Sequence, residues 1–138
     1  MQTDDDAAAR RGGSGAHEAA SRAAALGRYG EDLAVQHLRA AGLEILARNW
    51  RCRAGELDIV ARDGTALVFV EVKARSGIGF GVPAEAVGQA KARRIRHLAC
   101  AWLMEHRPPG AHDLRFDVVS IVRQAGRAPV VHHLRGAF

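Results

Sequence analysis

At 138 residues, with 48% hydrophobic and 25% charged content, the chain is long enough for one compact core and short for two. Twenty Lys and Arg stand against fifteen Asp and Glu, a formal charge of +5 that favours polyanionic partners, although a basic soluble protein with no such partner has the same balance. No apolar run approaches the roughly 20 residues of a membrane span and the first residues hold no apolar signal-peptide core, so a helical membrane protein is excluded and a cytoplasmic one expected.

The stretch MQTDDDAAARRGGSGAHEAA carries almost no large apolar side chain to offset its ordering entropy, which predicts a disordered tail over 1–20 ahead of one domain over 21–138. From Ser21, the residues Leu26, Leu33, Val35 and Leu38 with the alanines between them predict a helix that stops near Ala41 and Gly42; Gly27 and Gly30 weaken its first half. LEILARNWR, GELDIVARDG and TALVFVEVKAR follow as strands, the last two joined at Asp63-Gly64, a strong hairpin signal. SGIGFGVP is a glycine-rich loop suited to close approach of a ligand, and it lacks the GxxxxGK[ST] pattern of a P-loop. After Pro83, the residues Ala86, Val87, Ala90, Ile95, Leu98, Ala99, Trp102 and Leu103 recur at helical spacing, with Lys91, Arg93, Arg94 and Arg96 largely on the other side, until Pro108-Pro109-Gly110. LRFDVVSIV and APVVHHL close the chain as strands around a turn at Ala125-Gly126. The order α-β-β-β-α-β-β, without internal repeat, predicts an α/β fold with a mixed central sheet of about five strands flanked by helices.

Cys52 and Cys100 belong to no CxxC or zinc-spaced set and are expected to be reduced thiols. The seven histidines form no HExxH, and adjacent His132 and His133 would point to opposite faces of a strand as surface or packing residues. Trp50 and Trp102 each fall in an apolar pattern with no basic-aromatic interleaving around it, which predicts core positions instead of base-stacking platforms.

LVFVEVKAR raises a sharper question. Leu67 to Val70 is apolar on both faces, the mark of a strand covered on both sides, and Glu71 and Lys73 come where that strand leaves its core. Phe69, Glu71 and Lys73 share one face; Val68, Val70 and Val72 share the other. A two-residue loop at Asp63-Gly64 would pair Glu56 with Glu71, and a four-residue loop from Asp63 to Ala66 would pair Asp58 with Glu71. Either register gathers Glu56, Asp58, Glu71 and Lys73 on one face. Carboxylates held that close repel and need a cation or a shared proton, and oxygen donors of this kind suit a hard ion such as Mg²⁺, which activates a bound water and stabilises charge on a phosphoryl group. Lys73 is placed to orient or deprotonate that water. The plainer reading is a solvated sheet face on which Glu71 and Lys73 pair with opposite charges.

GRYGEDLAVQHLRAAGLEILARNWR, GELDIVARDG, LVFVEVKARS, QAKARRI and RFDVVSI occur in the order and at the spacing of the YraN-like (UPF0102) family, which the chain resembles from Ala25 to about Val122. That family is similar to Holliday-junction resolvases and assigned to the restriction-endonuclease-like, PD-(D/E)xK superfamily. The resemblance implies a restriction-endonuclease-like fold and a Mg²⁺- or Mn²⁺-dependent endodeoxyribonuclease. Within it, Asp58 looks like the metal-binding aspartate, Glu71 and Lys73 like the (D/E)xK pair, Val72 like the donor of a backbone carbonyl to the metal, and Glu31 like the additional helical glutamate of the resolvase branch. Gln89 and Lys91 match polar positions that flank the site, and Arg93, Arg94 and Arg96 are candidates for phosphate contact. Leu57 stands where the superfamily has proline, and Ala74 where threonine is frequent. The expected partner is DNA, branched or otherwise, and since a junction resolvase needs two active sites, a homodimer is expected too. The competing expectation is a nucleic-acid-binding module that keeps the fold without turnover, because fold alone does not determine activity.

Overall fold

In the computed structural model, residues 3–77 and 87–138 are described, with side chains from Ser14 onward. Most of the loop SGIGFGVP, together with Ala86, lies outside the described residues. The elements are α1 (Thr3–Ala40), β1 (Glu44–Cys52), β2 (Gly55–Asp63), β3 (Ala66–Ser76), α2 (Gln89–His106), β4 (Asp113–Arg123) and β5 (Val130–Leu134). The fold is α/β with a five-stranded mixed sheet whose spatial order, β1-β2-β3-β4-β5, follows the chain. Antiparallel pairing joins every neighbouring pair except β3 and β4, which run parallel. A parallel pair needs a long crossover, and α2 lies within it.

Both faces of the sheet are covered, which is why β3 and β4 read as near-continuous apolar runs. On one face Ala34, Val35 and Leu38 of α1 pack on Ile59, Ala61, Val68, Val70, Val119 and Ile121. On the other, Ile95, Leu98, Ala99 and Trp102 of α2 pack on Leu57, Val60, Leu67, Phe69 and Phe116. Phe69 lies at the centre of this second layer, stacked on Phe116 at 5.6 Å and edge-on to Trp102 at 6.0 Å. Trp102 is in the core and Trp50 is half-buried against it, as their apolar surroundings predict. No described helix is long and apolar enough to cross a membrane.

Three local features differ from, or sharpen, the sequence reading. First, helical backbone begins at Thr3, inside the stretch expected to be a disordered tail. Residues 14–25 are all exposed, so helix there rests on the high propensity of alanine and not on burial. Second, of the two registers open for the β2–β3 hairpin, the structure has the one that brings Asp58 level with Glu71, although its turn is tighter than expected. Asp63 pairs with Ala66, and Gly64, at φ 61, forms the loop with Thr65. Third, Gly30 permits a close approach of α1 to β3, since a Cβ on it would stand 2.5 Å from the Cβ of Ala74. That contact sets the next residue, Glu31, against the end of the sheet.

A buried charge network closes the side of the sheet formed by β4 and β5. Asp117, fully buried, accepts from Arg115 Nε at 2.9 Å, from its second guanidinium nitrogen at 3.0 Å and from Gly136 N at 3.0 Å, and pairs with His133 Nε2 at 2.7 Å. Arg115 also reaches Asp63 at the hairpin end, 2.9 Å away. Burial alone would raise the Asp117 pKa, but His133, Arg115 and the Gly136 amide outweigh it and hold the carboxyl below its ordinary 3.8. His133 is thus a packing residue with a specific partner.

Two stability predictions follow from these contacts. Gly30→Ala should lower the free energy of unfolding by about 1–3 kcal/mol through the clash with Ala74, where helix propensity alone would give a gain of roughly 1 kcal/mol; thermal unfolding distinguishes the signs. Asp117→Asn should cost on the order of 3 kcal/mol by leaving Arg115 short of its counter-charge. The wild type should lose the same contribution only in acid, as pH falls below the ordinary 3.8 and through the lowered pKa of Asp117.

Candidate functional site

The cleft arises because β2 and β3 part company. Their ladder runs from Asp63↔Ala66 to Ile59↔Val70 and stops. Beyond that point β2 stays with β1, through Trp50↔Leu57 and Cys52↔Gly55, while β3 stays with β4 as far as Ser76↔Arg123. Val72 N–H, deprived of a strand partner on the β2 side, donates instead to Asp58 Oδ2 at 2.9 Å. The carboxylate of Asp58 is thereby fixed at the fork, half-buried, with the side chain of Glu71 within hydrogen-bonding reach.

A cleft of about 1050 Å³ opens there, lined by Glu31, Asn49, Glu56, Asp58, Glu71, Val72, Lys73 and Lys91 among others. Burial first, then the charge of Glu71, push the Asp58 pKa up to about 7; Glu56 adds to the rise and the Val72 amide opposes it. Glu71, only 12% exposed, is paired with Lys91 Nζ from the second residue after the start of α2. Glu31 reaches the cleft from α1 and is itself buried. Arg48 Nε at 2.8 Å and Asn49 Nδ2 at 2.9 Å both donate to its Oε1, and Arg48 also holds Asp32 at 2.6 Å. Asn49 adopts φ 51 within β1, a left-handed conformation that asparagine tolerates better than most residues and that aims its amide at Glu31.

Glu31, Asp58, Glu71, Val72, Lys73 and Lys91, scattered over sixty positions of sequence, are therefore brought to one cleft. Arg93 and Arg94 are exposed on α2 and do not line this cleft, and Gln89 is exposed at the first turn and does not line it either. Arg96 lies over the Phe116 ring at 4.6 Å. Arg48 and Asn49 escaped sequence reasoning. The available signal was an asparagine inside a strand-like run, a position where that residue is depleted.

The donor chemistry fits a hard divalent ion. Two carboxylates are crowded enough that one retains a proton to about pH 7, which is the state a cation would relieve. Among the described residues no group of three or more His, Cys, Asp and Glu is arranged to hold a metal, so the set is the Asp58–Glu71 pair. Mg²⁺ commonly binds through one or two carboxylates and completes its shell with water and substrate oxygens.

Fold and cleft together define an α/β protein with an acidic pair and a lysine at the fork of a mixed sheet. The chain belongs to the uncharacterised protein family UPF0102, whose profile matches residues 30–121, so the resemblance read from its motifs is correct. It is 55% identical over 128 residues to a UPF0102 protein of Acidothermus cellulolyticus, covering 86% of this chain and 97% of that one. A UPF0102 protein of Nocardia farcinica is 56% identical over 114 residues (83% and 89% of the two chains), and one of Frankia alni 59% identical over 114 residues (83% and 94%). The matched region contains every residue of the acidic cluster.

The raised pKa of Asp58 has a stability consequence. Between pH 3.8 and about 7 the folded protein holds a proton that the unfolded chain releases, so stability should fall as pH rises through this window. Asp58→Asn removes the ionisation and keeps an oxygen for the Val72 amide. At about pH 8, without metal, the variant should exceed the wild type by on the order of 2 kcal/mol, and the difference should vanish near pH 4. Urea unfolding at the two pH values checks it.

Proposed function

We propose that the protein is a Mg²⁺- or Mn²⁺-dependent DNA endonuclease with its active centre at the β2–β3 fork. The observation that carries the proposal is the crowding of Asp58 against Glu71 in a half-buried cleft with Lys73 on the same strand. A pair so placed destabilises the metal-free fold, and residues that do so are the ones expected where function opposes stability. Asp58 and Glu71 would hold the ion, with the Val72 carbonyl as a further oxygen donor, while Glu31, engaged by Arg48 and Asn49, lines the cleft beside them. Bound there, the ion supplies a water of lowered pKa and positive charge for the phosphoryl oxygens.

The remaining work falls to the chain's own groups. Lys73 Nζ orients the attacking water and offsets charge developing on the phosphate. Arg48 and Asn49 keep Glu31 facing the cleft. Hydrolysis adds the water oxygen to phosphorus and breaks one P–O ester bond, the proton of the water ending on the departing sugar oxygen. Similarity to junction resolvases points to branched DNA from recombination or repair as substrate, and to a homodimer that supplies two centres. One observation favours the second reading, a non-catalytic nucleic-acid-binding module: Lys91 already neutralises Glu71 without a metal.

Labelled single-stranded, duplex, flap and four-way-junction DNAs, incubated with Mg²⁺, Mn²⁺ or EDTA, separate the two. The nuclease reading expects cleavage of at least one DNA with metal and none with EDTA. Lys73→Ala should retain DNA binding while losing turnover by roughly 100-fold or more. Binding without cleavage across the whole panel would establish the module instead.

A further inference from the structure

The cleft continues past β3. A second cavity of about 1060 Å³ shares Ala23 and Leu26 of α1 with the first and extends beside Ser76, Gly77 and the turn after β4. Its charged lining is Arg22 from α1, Arg123 from the end of β4 and Arg127 from the β4–β5 turn, with no acidic residue among them. The first cavity has a mixed lining, with Glu31, Glu56, Asp58 and Glu71 beside Arg28, Arg51, Lys73, Arg75 and Lys91. One end of the trough therefore holds the carboxylates that suit a metal ion among basic neighbours, and the other end holds arginines alone.

The arginines converge for a topological reason. β3 and β4 are parallel and in register from Ala66↔Asp113 to Ser76↔Arg123, so both strands terminate at the same end of the sheet. Gly77 N–H donates to Arg123 O at 3.2 Å, which holds the two strand ends together. The Arg123 guanidinium lies over the Tyr29 ring at 4.9 Å, so its position is set by stacking and its charge is not consumed by a carboxylate. Arg22, Arg123 and Arg127 are exposed, and among the described residues none of the three enters an ion pair. Three guanidinium groups around one concavity repel each other until an anion enters, and their planar donors match phosphate oxygens.

Resting on the proposed function, we infer that this second cavity is a phosphate-backbone site. It holds the strand on one side of the phosphate placed at Asp58 and Glu71, with Arg22, Arg123 and Arg127 on successive backbone phosphates. The arginines of α2 are not that path: Arg93 and Arg94 line neither cavity, and Arg96 is engaged with Phe116.

The test is fluorescence anisotropy of a labelled DNA duplex in EDTA, from about 50 to 200 mM salt. It compares the wild type with R22A/R123Q/R127A and with R93A/R94A. Each lost phosphate contact should make the slope of log affinity against log salt shallower by about 0.9. The triple variant is expected to lose roughly two to three units of slope and to take up Mn²⁺ like the wild type, while the α2 pair keeps the wild-type slope. A wild-type slope in the triple variant, or a slope lost only in the α2 pair, would overturn the inference. Melting curves confirm folding, and if loss of the Tyr29 contact unfolds the triple variant, R22A/R127A should still lose up to about two units. Wild-type DNA cleavage with an unchanged slope in the variants refutes this path alone. Absence of any DNA binding by the wild type refutes both this path and the nuclease reading.

Discussion

β3 is hydrogen-bonded on both edges and covered on both faces until Val70, and at that point its β2 neighbour leaves it. A backbone amide exposed by such a parting must find another acceptor or bear the cost of an unmade hydrogen bond. Val72 N–H finds Asp58. This substitution of a side chain for a strand does several things together. It keeps the fork open, anchors one carboxylate at its apex and holds that carboxylate beside Glu71. The approach of α1 at Gly30 then adds Glu31, and α2 adds Lys91. The cleft is thus a consequence of where the ladder ends.

Two aspartates in the same sheet, Asp117 fully buried and Asp58 half-buried, show how differently the fold treats its acids. Asp117 is met by a guanidinium, an imidazole and a backbone amide, and its carboxyl is held in the ionised form. Asp58 has one amide and a carboxylate for a neighbour, and it resists ionisation up to about 7. The first arrangement is what stability requires of a buried charge. The second is under-satisfied within the protein alone, and that deficit is what a cation and a phosphate could supply. The arginine-lined end of the same trough holds no carboxylate, which is the arrangement that the proposed phosphate path needs.

Much of this could be read from sequence because the relevant signals are local or periodic. Short apolar runs bounded by turn signals placed all five strands, and the run Leu67 to Val70 marked β3 as covered on both faces. Glu71 and Lys73 then had to share a face, and a hairpin at Asp63-Gly64 brought Asp58 or Glu56 opposite Glu71. The exact turn was less legible, since Gly64 can take φ 61 in a loop beginning at either Asp63 or Gly64. What could not be read depends on contacts between elements distant in sequence. Asn49 and Arg48 matter because they meet Glu31, and Gly30, which reads as a weakness in a helix, is needed for its contact with Ala74. Arg115, Asp117 and His133 form their network only when β4 and β5 pair. The α2 arginines were attractive as a charged face, but the strand ends direct the cavity to Arg22, Arg123 and Arg127 instead.

The central claim is that Asp58 and Glu71 form a divalent-cation site, and calorimetric titration with Mn²⁺ tests it most directly. The wild type should bind a single ion per chain, and Asp58→Asn and Glu71→Gln, each verified as folded, should bind none at the same concentrations. Failure of the wild type to take up Mn²⁺, or uptake by both variants at wild-type affinity, would contradict the account.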